Sequence, residues 1–176
     1  MTAQDLTTWN QKRLQRNKIG MIVLGSWAIA HIGTGVSLRG SSEGSMRHFH
    51  EMNIYWNLVN LGLAGVGVYA AVSGEVEGLS LAESMSEQQK MEKILLFNAG
   101  LDIGYILGGL YMIERSKRSD SQRLKGFGKS VVLQGTFLFM FDIGFFMVQN
   151  QQAKPIYELL SHLSLSESGV GLRLNF

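Results

Sequence analysis

Two aspartates, Asp102 and Asp142, lie deep inside apolar runs, each followed two residues later by a glycine and then an aromatic, Tyr105 or Phe145. Two other apolar runs carry the same spacing as His31-Ile32-Gly33 and Asn60-Leu61-Gly62. Carboxyls and an imidazole held together can share and release protons, and an asparagine amide can bridge them by hydrogen bonds. In apolar surroundings the outcome depends on company: next to His31 the aspartates form a charged network, and alone they hold their protons. His31, Asn60, Asp102 and Asp142 are therefore the candidate buried polar cluster.

Helical spacing extends each of these residues into a stripe. His50, Asn53, Asn57 and Asn60 recur three or four apart, so one helix face carries them all. Asn98, Asp102, Tyr105 and Gly109 share another face, Gly135, Asp142 and Gln149 recur every seven residues, and Trp27, His31 and Thr34 line up on a fourth. Such stripes serve either as a polar path or ion site, or as interhelical hydrogen bonds worth on average about 0.6 kcal/mol each in membranes. Two aspartates are more than such glue requires.

The elements that must position these residues are four apolar blocks, 19–38, 54–72, 94–113 and 131–148. Each has about the 18 to 20 residues that cross a hydrocarbon core roughly 30 Å thick. The mean hydropathy of the 176-residue chain is only +0.08, because charge is gathered between the blocks, as in Glu114-Arg115-Ser116-Lys117-Arg118. A soluble bundle needs a charged face on every helix, and these blocks have none. The expected fold is all-α, an integral membrane four-helix bundle over 19–149. At 1.5 Å per residue, with alternating direction, the four polar residues fall within roughly 5 Å of the midplane and can meet.

The flanks read differently. Residues 1–18, basic with Trp9 and a capping box at Thr2-Ala3-Gln4-Asp5, read as an N-terminal interfacial helix and not as a cleaved signal. Ser84-Met85-Ser86-Glu87 reads as the box that starts the third helix. Residues 150–176 read as an amphipathic C-terminal tail, with a short helix from Pro155 and an alternating end that is either disordered or paired with a partner's strand edge. Basic residues number eight on each side of the membrane, so they assign no orientation. A local cluster or a partner decides it, or the chain inserts both ways as an antiparallel dimer.

Gly100, Gly104 and Gly108 form a small-residue strip roughly opposite Asp102, which suits close helix packing within the bundle or against a second subunit. His48-Phe49-His50-Glu51 superficially resembles a metal cluster, but adjacent helical residues diverge, so no metal site is expected. No catalytic constellation or cofactor motif is present, and the chain has no cysteine. A net charge of +2 is too small to argue for nucleic acid. The expected partners are the lipid bilayer and either further copies of the chain or a larger membrane complex.

The runs Arg47-His48-Phe49-His50-Glu51-Met52-Asn53 and Trp56-Asn57-Leu58-Val59-Asn60-Leu61-Gly62, with Gln134-Gly135-Thr136-Phe137-Leu138 and Phe141-Asp142, resemble an uncharacterised family of small bacterial membrane proteins with four predicted spans. The resemblance covers roughly 18–150 and implies a bacterial four-span protein with no assigned activity, and the expected location is the bacterial inner membrane. Three functions compete. The first is a structural or accessory subunit of a membrane complex. The second is a small proton- or ion-coupled channel or transporter that uses the midplane cluster. The third is a membrane enzyme with that cluster as acid and base.

Overall fold

Four long helices, α1 (Ala3–Arg39), α2 (Gly44–Ser73), α3 (Leu81–Ser119) and α4 (Gln122–Ser161), make up nearly all of the computed structural model, which describes residues 2–161, 163–166 and 169–172. A short antiparallel hairpin follows, β1 (Leu163–Ser166) against β2 (Gly169–Leu172), with Leu163 opposite Leu172. The strand-like ending thus pairs with its own chain over these residues, and residues 173–176 lie outside the described ones. The last turns of α4 run on to Ser161 without a break before Pro155, and they bury Ala153 and Ile156.

Successive helices alternate in direction, but chain order is not packing order. α2 packs against α1 and α4, and α4 packs against α3, while the backbones of α2 and α3 stay apart. The rings of Trp56 and Tyr105, edge to face with centroids 4.9 Å apart, bridge those two helices. The most extensive seam joins α3 to α4. A methyl group built on Gly109 would stand 2.8 Å from the Gly128 carbonyl oxygen, and one on Gly135 would stand 3.1 Å from Ile106. Glycine permits this approach because no Cβ intervenes.

Helix starts follow side-chain caps. Thr2 and Asp5 form the expected reciprocal box at α1. At α3 the box belongs to Ser80 and Glu83, so the helix begins one turn earlier than the Ser84 box places it. Ser84 lies instead inside the bundle and accepts a 2.8 Å hydrogen bond from Asn10.

The N-terminal segment needs a further correction. Residues 3–18 are not a separate interfacial helix but the first turns of α1, continuous with its apolar part. The cause is visible in the side chains: Asn10, Arg13 and Asn17 are buried and bond to α3 and α4, so this polar stretch has protein partners along its length.

All four helices are long and apolar enough to cross a membrane. Their apolar residues point mostly outward: Val66, Tyr69, Phe97, Leu107 and Met140 are each more than 60% exposed. Among the described residues, sixteen polar or charged side chains are buried against ten apolar ones. A water-soluble fold has the opposite distribution.

Candidate functional site

The inward faces of the four helices build a polar column along the bundle axis. Its centre is made where the glycine seam draws α3 and α4 together, so that Asp102 and Asp142, both buried, are near neighbours whose carboxyls could join by a hydrogen bond. Such a bond needs a proton on one of the two oxygens, because ionised carboxylates only accept. Two carboxyls placed in this way can share a proton. Among the described residues the Asp102 Oδ2 atom has no hydrogen-bond partner, and Asn60, also buried, leaves its Nδ2 unpartnered.

His31 is placed elsewhere. It is half-buried against the Trp27 ring, with centroids 4.1 Å apart, and among the described residues it bonds to neither aspartate. The sequence spacing puts it at the right depth, but the α1 residues turned furthest inward there are Leu24 and Ala28. The glycine two positions after each cluster residue has a simple geometric explanation. Two residues on a helix are about 200° apart, so Gly33, Gly62, Gly104 and Gly144 all lie on the outer surface, where an added methyl would meet nothing within 4 Å.

On α2 the predicted stripe is the inward face: His50, Asn53, Asn57 and Asn60 are all buried. Asn53 Oδ1 accepts from Ser130 Oγ at 2.7 Å and from Gln134 Nε2 at 3.0 Å. Gln134 Oε1 in turn accepts from Trp27 Nε1 at 2.8 Å, and the Trp27 ring stacks flat on Phe137. One chain of hydrogen bonds therefore links α1, α4 and α2. Further along the stripe Asn57 Nδ2 donates to its own helix at the Asn53 carbonyl, and among the described residues Asn57 Oδ1 and His50 Nδ1 have no partner. On α3 Asn98 is only half-buried, and Tyr105 is 40% exposed beside Trp56.

Beyond the carboxyl pair the column widens into a second network, of which the sequence reading identified only Gln149. Gln149 donates to Asn17 Oδ1 and accepts from Arg16, and its backbone carbonyl accepts from Gln88 Nε2 at 3.1 Å. Gln88 also donates to Glu92, whose other oxygen accepts from Tyr157 at 3.1 Å. Burial, and then the neighbouring Glu92 carboxylate, push the Tyr157 phenol up to about 12. Arg13 bonds to Asn10 and faces Glu87 at 4.0 Å. The available signal was the three-and-four spacing of Asn10, Arg13 and Asn17, and of Ser84, Gln88 and Glu92, with Leu95 and Ala99 continuing the second series.

At the opposite end His48 Nδ1 lies 2.8 Å from Glu51 Oε2 while His50 turns inward, so the two histidines diverge as helical neighbours must. Gly100, Gly104 and Gly108 are exposed and touch nothing in the bundle.

No curated protein and no solved structure matches the chain. Residues 23–143, more than half of the chain and a stretch holding His31, Asn60, Asp102 and Asp142, match the profile of a family described as a family of unknown function, DUF6992. The four-helix chain with a polar column between its helices belongs to that family of unknown function, DUF6992.

Proposed function

We propose that the chain is an integral membrane protein whose four helices cross a bilayer, and that its polar column passes protons by way of the Asp102–Asp142 pair. The bacterial inner membrane, the location expected from the sequence, is the proposed setting. The observation that carries the membrane reading is the inverted distribution of side chains, with apolar residues outside and polar ones buried.

The step from span to proton path rests on the carboxyl pair and on the unpartnered atoms around it. A bundle held only by interhelical hydrogen bonds satisfies those bonds. Here His50 Nδ1, Asn57 Oδ1, Asn60 Nδ2 and Asp102 Oδ2 are buried without partners among the described residues, and a file of water molecules along the column would satisfy all four. A shared proton in contact with such a file exchanges readily with either end.

The test is proton flux into liposomes holding the purified chain under an imposed potassium diffusion potential. Flux is expected from the unaltered chain and is expected to vanish in Asp102→Asn and Asp142→Asn variants that stay folded. Equal flux in the variants contradicts the reading.

A second reading, an accessory subunit of a membrane complex or a homo-oligomer, is favoured by one observation: the Gly100, Gly104 and Gly108 strip is exposed and free for a second helix to approach closely. Co-purification from the native membrane, lost on substituting leucine at Gly104, would support it.

A further inference from the structure

A cleft of about 420 Å³ opens at the end of the bundle that holds the N-terminus of α1, where α2 and α3 diverge. Its back wall is α1, with the buried Arg13 and Asn17, and its sides are the last turns of α2 and the early turns of α3. Small residues on α2 and just past its end, Gly67, Ala70, Ala71 and Gly74, make the room. The volume is that of an ordinary small-molecule site.

The lining divides into two zones along the helix axes. Arg13, Glu75, Glu87 and Lys90 stand at one end, all outside the apolar blocks that begin at 19 and 94 and end at 72. Met21, Gly67 and Ile94 line the other end, inside those blocks, and Met91 lies just before the third of them. The cleft therefore straddles the level at which apolar sequence gives way to charge. It is open at the side, since Ala70, Lys90 and Ile94 on its rim are exposed.

The charges favour a particular occupant. Arg13 is 4% exposed, and its ion-pair partner among the described residues is Glu87, at 4.0 Å and about half exposed. A buried guanidinium so loosely paired is under-compensated, and an oxyanion in the cleft would complete it. Glu75 and Glu87 bring two carboxylates to the same rim, which suits a donor cation beside that oxyanion.

We propose that this cleft binds one phospholipid with a primary-ammonium headgroup, its phosphate on Arg13 and Lys90, its ammonium on Glu75 and Glu87, and an acyl chain along Met21 and Met91. The proposal rests on the reading of the four helices as membrane spans. A trimethylated ammonium cannot donate hydrogen bonds to the two carboxylates, and a glycerol headgroup brings no positive charge to them, so the site discriminates among headgroups on equal chains.

Native mass spectrometry of the full chain in detergent, titrated with phosphatidylethanolamine, phosphatidylcholine or phosphatidylglycerol of identical acyl composition, tests it. One phosphatidylethanolamine is expected to be retained about tenfold more tightly than the other two, the scale of a single charge-assisted contact. Ala70→Trp fills the cleft from its exposed rim and is expected to abolish retention with helical content unchanged. The milder Lys90→Gln is expected to weaken it several-fold.

Equal retention of the three lipids, or retention untouched by Ala70→Trp, overturns the proposal. Alkaline extraction of the native membranes separates the two possible failures. A chain released into the aqueous phase overturns the membrane reading and the lipid site together; a chain kept in the membrane without headgroup preference overturns the site alone.

Discussion

Gly109 and Gly128 face each other across α3 and α4 so closely that a methyl on Gly109 would stand 2.8 Å from the Gly128 carbonyl oxygen, and one on Gly128 would stand 2.6 Å from that of Gly109. Neither contact can be relieved by turning a side chain, since both obstacles are backbone. Valine at either position is expected to force the helices apart and cost about 1 to 3 kcal/mol, the usual range for overpacking. Reversible unfolding in mixed detergent measures it. Gly104→Ala, on the outer face of the same helix, is expected not to lower the unfolding midpoint of the monomer, because the added methyl meets nothing and alanine favours helix over glycine.

The link from Trp27 through Gln134 to Asn53 makes a second expectation. Gln134 is fully buried and both accepts and donates. Gln134→Leu keeps most of the volume but leaves Trp27 Nε1 without its acceptor, a loss of about 1 to 3 kcal/mol for a buried donor. The same unfolding measurement, with indole fluorescence as the probe, is expected to show both the loss of stability and a changed Trp27 environment. No change in either would mean that the link is not formed.

Tyr157 supplies the pH dependence. Its pKa is raised to about 12 in the folded chain, by burial first and by Glu92 second, from an ordinary 10.0. The folded state therefore binds this proton more tightly than the unfolded one. The contribution to stability is fully present below pH 10.0 and is lost as pH rises through about 12. Alkaline absorbance titration is expected to show one late phenol that disappears in Tyr157→Phe and titrates earlier in Glu92→Gln. A late step that survives Tyr157→Phe would contradict the assignment.

Much of this arrangement is legible in the sequence, and the exceptions share a cause. Block length and the segregation of charge suffice for four helices, and three-and-four spacing identifies the inward face of α2 from His50 to Asn60. Ser80 and Ser84 show where local signals stop. Each opens a Ser-x-x-Glu box, at Ser80-Leu81-Ala82-Glu83 and Ser84-Met85-Ser86-Glu87, and local sequence cannot choose between them. Asn10, seventy-four residues away, decides by taking Ser84 into the interior. Arg13 and Asn17 are misleading for the same reason: a basic, polar stretch looks like a surface until the overhanging turns of α3 and α4 supply its partners. His31 shows that equal depth does not guarantee contact, since it lies against Trp27, one turn away on its own helix, and among the described residues bonds to neither aspartate.

The central claim is that the four helices cross a bilayer with their polar residues turned inward at a common depth. The outward glycines test it most directly, because the chain has no cysteine of its own. Single substitutions Gly33→Cys, Gly62→Cys, Gly104→Cys and Gly144→Cys each place a spin label on the outer surface of a different helix without touching the interior. In reconstituted membranes the account predicts frequent collision of all four labels with oxygen, which concentrates in lipid, and rare collision with a water-soluble nickel chelate, with all four reporting similar depth. Labels that collide freely with the nickel chelate, or that report widely different depths, would contradict it.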